Sequence, residues 1–118
     1  MSKPLGPYTP IVRAGDWLVT SGQIGMVDGK LVSGGVVDEL KQALANMKTL
    51  LEAEGATIDH VVKTTIFMRH MRDYSLLNVA YAEFFGEHRP ARSAIAVSEL
   101  PGLALVEVEA WAYVAPQP

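Results

Sequence analysis

The sequence predicts an α+β domain in which a mixed β-sheet carries two helices on one face. Helical periodicity appears only twice, within 36–55 and 73–86, among segments of strand character, in the order ββ-α-β-α-ββ. Two helices are too few to cover both faces of a sheet, so they share one face. The other face must be solvated or covered by another copy. At 118 residues the chain is long enough for one core, and 1–118 reads as a single domain.

Each element has a local cause. "TPIVRAGD" reads as a short strand and turn, with Gly15-Asp16 as a hairpin loop. "WLVTSGQI" (17–24) is a strand interrupted by glycine, and "GMVDGKLVSGG" (25–35) is a loop with a turn signal at Asp28-Gly29. From Val36, apolar side chains at Leu40, Ala43, Leu44, Met47, Leu50 and Leu51 keep helical spacing until Gly55 stops the pattern. "HVVKTTIFMR" (60–69) is β-branched and extended. "DYSLLNVAYAEFFG" (73–86) is a second helix, which Asp73 or Ser75 caps and Gly86 ends. Strands at 92–98 and 104–114 follow, joined by "ELPGLA", and the tail "APQP" reads as unstructured.

A four-residue turn at 100–103 would pair residue 99 with residue 104. It would place Ser93, Ile95 and Val97 with Val106, Val108 and Ala110 on a core face. The second face would hold Arg92, Ala94 and Ala96 with Leu105, Glu107, Glu109 and Trp111. Because charges there mix with large apolar groups, this face is expected to lie under a neighbouring subunit and to contain a polar pocket.

Composition narrows the chemistry. Hydrophobic residues make up 49% and charged residues 19%, as in globular proteins. A net charge of −3 offers no broad basic surface for nucleic acid. The lack of cysteine rules out disulfides, thiol catalysis and cysteine metal sites. No stretch has the length and apolarity of a membrane span, and "MSKPLGPYTP" lacks a signal peptide's apolar core, so cytoplasmic residence is expected. His60, His70 and His88 lack metal-ligand spacing, and Gly34-Gly35 fits no phosphate-binding fingerprint.

Arg92 with Glu107 or Glu109 is the leading candidate set. A guanidinium fork grips a carboxylate, and a nearby carboxylate can activate water. The plainer reading is a cross-strand ion pair, which periodicity alone favours, and the register does not choose between the glutamates. Ser21-Gly22 in "TSGQIG" could admit a ligand, although a strand end explains it as well. Tyr8 in "GPY" is expected to pack, and "YAEFF" reads as helix core.

"GPY", "TSGQI", "VVKTTIFM", "YAEFFGEH", "PARSAIAV", "LP" and "LVEVEAWA", in this order from about Gly6 to about Tyr113, resemble the RidA family, also called YjgF-like. The resemblance implies a chorismate-mutase-like fold and a homotrimer with a central barrel and a site in each cleft between subunits. The implied activity is hydrolysis of 2-imino acids, formed from enamines such as 2-aminoacrylate, to 2-oxo acids and ammonia, without cofactor or metal. By position, Arg92 would bind the substrate carboxylate and Glu107 would handle the attacking water. Tyr8, Ser21, Gly22 and Asn78 would line the site, and Ala94 would contribute backbone groups. Burial should raise the Glu107 pKa and Arg92 should lower it. The chain departs from the family pattern at Ala94, where cysteine is frequent, at Gly25, where proline is usual, in the loop 25–39 and in the short "EHRPARS". Competing readings are a non-catalytic module that binds a small carboxylate, and a related hydrolase with another substrate. Ribonuclease activity fits poorly with the charge.

Overall fold

The computed structural model describes residues 4–115 and opens its sheet with a hairpin; most of the "APQP" tail lies outside the described residues. β1 (Ile11–Ala14) and β2 (Trp17–Thr20) are antiparallel with Ala14 opposite Trp17, so Gly15 and Asp16 form the two-residue loop. Gly15 takes a φ of +61°, which suits such a loop and is costly for other residues. Where a plain loop was expected, β3 (Met26–Val27) and β4 (Lys30–Leu31) form a second, very small hairpin. Asp28 and Gly29 both have positive φ, the conformation Asp-Gly favours in a two-residue loop. Strands of two residues are too short to display alternation, so periodicity could not reveal them.

α1 (Val36–Ala53) buries the six apolar positions that defined its period, and Gly55 follows it at a φ of +80°. Full burial of a leucine contributes about 2 kcal/mol, so this stripe is a main source of stability. β5 (Val61–Met68), α2 (Tyr74–Phe85), β6 (Ala91–Ala96) and β7 (Val106–Tyr113) complete the fold. Gly86 ends α2 at a φ of +66°. The main sheet runs β1-β2-β7-β5-β6, with β5 parallel to β6 and antiparallel to β7. It is therefore mixed, and the two helices pack together over one face, as the element count required. Among the described residues no helix is long and apolar enough to cross a membrane.

The expected pairing of the last two strands is wrong. β5 lies between β6 and β7, because β5-α2-β6 is a parallel crossover unit that uses α2 as its connection. The ends of the 97–105 connection are tied to β5 and its following residue, not to each other. The Val97 N–H donates to the Met68 carbonyl at 2.7 Å, and the Arg69 N–H to the Leu105 carbonyl at 3.1 Å. The Leu105 N–H in turn donates to the buried Glu39 carboxylate at 2.9 Å.

The correction inverts the faces of β6. Thr64 is opposite Arg92 and Ile66 opposite Ala94, and Thr64 and Ile66 are buried beneath the helices. Paired residues share a face, so Arg92, Ala94 and Ala96 point to the helix side with Val106, Val108 and Ala110. Ser93 and Ile95 join Glu107, Glu109, Trp111 and Tyr113 on the open side. That open face is apolar in part. Trp17, Trp111 and Tyr113 are 37%, 45% and 45% exposed, with rings edge-to-face at 6.1 Å and 5.2 Å from Trp17.

Candidate active site

On the helix side of the sheet, Arg92 stands between two tyrosines of α2. Its guanidinium carbon lies 4.8 Å from the Tyr81 ring centroid and 5.4 Å from that of Tyr74. Its Nη2 donates to the Tyr74 hydroxyl at 3.0 Å. Tyr81 is fixed from below by a 2.7 Å hydrogen bond between its hydroxyl and that of buried Thr64. Burial raises the Tyr81 pKa, while the Thr64 bond and the nearby Arg92 and Arg89 oppose the shift. The cation thus lies close to two aromatic rings, with one N–H spent on Tyr74 and donors left that can bind an anion.

Ala94 and Asn78 border the same small cleft, with Tyr74 and Leu77. β6 is an edge strand of the sheet. Because the Val97 N–H points inward to β5, strand alternation turns Ser93 and Ile95 inward as well. The backbone N–H and C=O of Ala94 then face the free edge. The structure therefore brings Arg92, Asn78 and the Ala94 backbone together.

Glu107 belongs to a different place. It is half-buried on the open face, in register with Phe67 of β5. Its carboxyl pKa is raised, mainly by burial and then by the like charge of Glu109. A Cβ on Gly22 would sit 2.5 Å from the Glu107 carboxyl carbon and from one of its oxygens. Glycine at 22 is thus what lets the backbone lie against this carboxylate. Gln23 and Val108 exchange backbone hydrogen bonds of 2.7 Å and 2.9 Å, which pins the segment beside Glu107. Ser21 spends its hydroxyl proton on the Thr9 carbonyl at 2.7 Å, anchoring the N-terminal segment. Tyr8 accepts the Leu5 N–H at 3.1 Å and lines, with Gly22, a neighbouring cavity.

The site residues thus form two groups on opposite faces, with β5 between their strands. The cross-strand ion pair of Arg92 with Glu107 or Glu109 does not exist within the chain. Arg92 is accordingly absent from the causes of the Glu107 shift, and burial prevails. Among the described residues no group of three or more His, Cys, Asp or Glu side chains could hold a metal.

Comparison with known proteins identifies the chain's relatives. The family model described as Endoribonuclease L-PSP matches residues 1–114. The chain belongs to the RidA/YjgF family. It is 43% identical over 113 residues to a RutC family protein of Pyrococcus horikoshii, covering 94% of this chain and 90% of that one. It is 42% identical over 114 residues to human 2-iminobutanoate/2-iminopropanoate deaminase, covering 95% of this chain and 83% of the human one. The crystal structure of Escherichia coli TdcF with bound serine superposes with a TM-score of 0.89 at 32% identity, over 95% of this chain and 91% of that one.

Two further features of this RidA-family chain border the site. Gly25, where the resemblance leads one to expect proline, lies so close to α1 that a Cβ would come within 2.6 Å of the Glu39 carbonyl oxygen. Tyr74 and Tyr81, which flank Arg92, escaped sequence reasoning because "YAEFF" reads as core and Tyr74 lies in the plain helix start "DYSLL". Their separation of 81 − 74 = 7 residues, two helical turns, places them on one face of α2 and was the available signal.

Proposed function

We propose that the protein hydrolyses 2-imino acids, such as 2-iminopropanoate, to 2-oxo acids and ammonia at sites shared between copies of a homotrimer. The deaminase names of relatives at about 40% identity support the reaction class. The observation that carries the assignment to this site is Arg92, flanked by Tyr74 and Tyr81 and lining a cleft that Asn78 and Ala94 also border. TdcF holding serine, a small molecule with a carboxylate and an amino group, supports a ligand of this shape.

Arg92 binds the substrate carboxylate and orients the imine carbon, while the Ala94 backbone and Asn78 engage the polar groups beside it. Water adds to the carbon of the protonated C=N group as Glu107 accepts a proton. Glu107 then returns that proton to nitrogen. The C–N bond breaks as C=O forms, and the hydroxyl proton leaves with ammonia as ammonium. A raised pKa suits a carboxylate that must both accept and return a proton near neutrality. Since Arg92 and Glu107 occupy opposite faces, one chain supplies the anchor and the next supplies the base. A closed ring of three copies, each meeting the next by the same contact, satisfies every site and covers the open face. The reading needs no cofactor or metal and accords with a cytoplasmic protein.

The test is release of pyruvate and ammonia from freshly generated 2-aminoacrylate. Wild type accelerates it, Arg92→Ala lowers kcat/KM by about 100-fold or more, and Arg92→Lys restores little because the planar fork is lost. No acceleration by wild type where a known deaminase works would overturn the reading.

A further inference from the structure

A cavity of about 300 Å³ lies away from Arg92, between the N-terminal segment, the β3–β4 hairpin and α1. Its apolar wall includes Pro10, Ile24, Met26 and Leu50, and its polar wall is Gln23, Asp28, Gln42, Asn46 and Thr49. Hydrogen bonding fixes how these polar groups face. The Asn46 amide nitrogen donates to the Ile24 carbonyl at 3.1 Å and the Met26 carbonyl at 3.0 Å, so its nitrogen position is unambiguous and both its protons are used. Its oxygen must then accept from Gln42 Nε2, at 2.8 Å. Gln23 Nε2 donates to the Ser21 carbonyl at 3.2 Å, and the Thr49 hydroxyl donates to the Ala45 carbonyl at 3.1 Å. What remains is one amide proton each on Gln23 and Gln42 and the hydroxyl proton of Tyr8, whose oxygen accepts the Leu5 N–H, against the acceptor capacity of two amide oxygens, the Thr49 hydroxyl and the Asp28 carboxylate. Among the described residues Asp28 is the only charged one in the lining.

We propose that this cavity is a second ligand site, for a small molecule carrying an ammonium group on a short apolar body. An ammonium has three donors and no acceptor, the complement of an acceptor-rich wall with one negative charge. The volume is at the lower end of ligand pockets. This preference is opposite to that of the Arg92 cleft, which is built for an anion. The two are nonetheless connected. The cavity shares Gly22 with the Glu107 side, and Gln23 is bonded directly to the strand that carries Glu107. The proposal stands without the deaminase reading.

The experiment is a backbone amide NMR titration of the full-length protein with benzylammonium chloride, beside benzyl alcohol and sodium benzoate. Benzylammonium should give saturable shifts centred on Gln23, Met26, Val27 and Asn46. Benzyl alcohol should bind about tenfold more weakly, about 1.4 kcal/mol, and benzoate should leave those residues unshifted. Asp28→Asn removes the charge and keeps the fold, because asparagine tolerates the positive φ of 52° at that position. It should weaken benzylammonium several-fold, and Gln42→Leu should weaken it as well. Shifts that fail to saturate, shifts centred elsewhere, equal binding of benzoate, or unchanged affinity in both variants would overturn the proposal.

Discussion

At the scale of single residues, Glu107 and its neighbours carry the sharpest expectations. Burial and the Glu109 charge both raise the Glu107 carboxyl pKa. A base is active when deprotonated, so kcat/KM should fall as pH drops through this raised value, above the ordinary carboxylate range. Glu109→Gln removes the like charge and should therefore move the acid limb to lower pH, whatever other charges enter the site. A limb that stays in place would remove Glu109 from the electrostatics of the base. Gly22→Ala makes a steric test of the same carboxylate. The added Cβ would fall 2.5 Å from it, so Glu107 must shift. Activity should drop by about tenfold or more while circular dichroism and the thermal midpoint change little, since only a half-exposed side chain has to move. Full activity in Gly22→Ala would show that the position of this carboxylate is not critical.

At the scale of elements, the contact between β5 and α2 is a hydrogen-bonded pair inside the core. Thr64 and Tyr81 share one bond of 2.7 Å, and both are buried. Thr64→Val keeps the shape but strands the Tyr81 hydroxyl, which should cost about 1–3 kcal/mol. The double variant Thr64→Val/Tyr81→Phe should be less destabilised than the sum of the single variants, because no polar group is left unpaired. Denaturant unfolding of the four proteins measures this, and simple additivity would mean that the bond contributes nothing. This pair also marks the limit of what the sequence reveals. The two long helices, the Gly15-Asp16 loop and the core strands were legible because each repeats its period several times or carries a turn residue with one favoured use. The placement of β6 was not. Its alternation is equally compatible with pairing to β5 or to β7, and only the parallel crossover through α2 decides. With β6 misplaced, Arg92 was read onto the face of Glu107, and the tyrosines that flank it stayed hidden. The candidate site residues are independent of this error because they come from motif resemblance, which does not depend on strand order.

At the scale of the whole molecule, the proposed mechanism combines Arg92 and Glu107 from two faces of the sheet and so makes assembly a condition of activity. Arg92→Ala and Glu107→Ala chains, each inactive alone, should regain activity when unfolded and refolded together. Random mixing places an intact anchor beside an intact base in about a quarter of the sites of a closed ring. No recovery, with mixed trimers demonstrated by native mass spectrometry, would place both groups within one chain. A monomeric mass by light scattering would remove the shared site altogether. The edge-to-face cluster on the open face adds an optical consequence. The chain has two tryptophans, and both are in that cluster. Intrinsic emission therefore reports the wetness of this one surface rather than the state of the helix-side core. Emission should shift to the blue when copies close over the sheet and to the red on dilution before the helices melt, so the protein carries its own built-in probe of assembly.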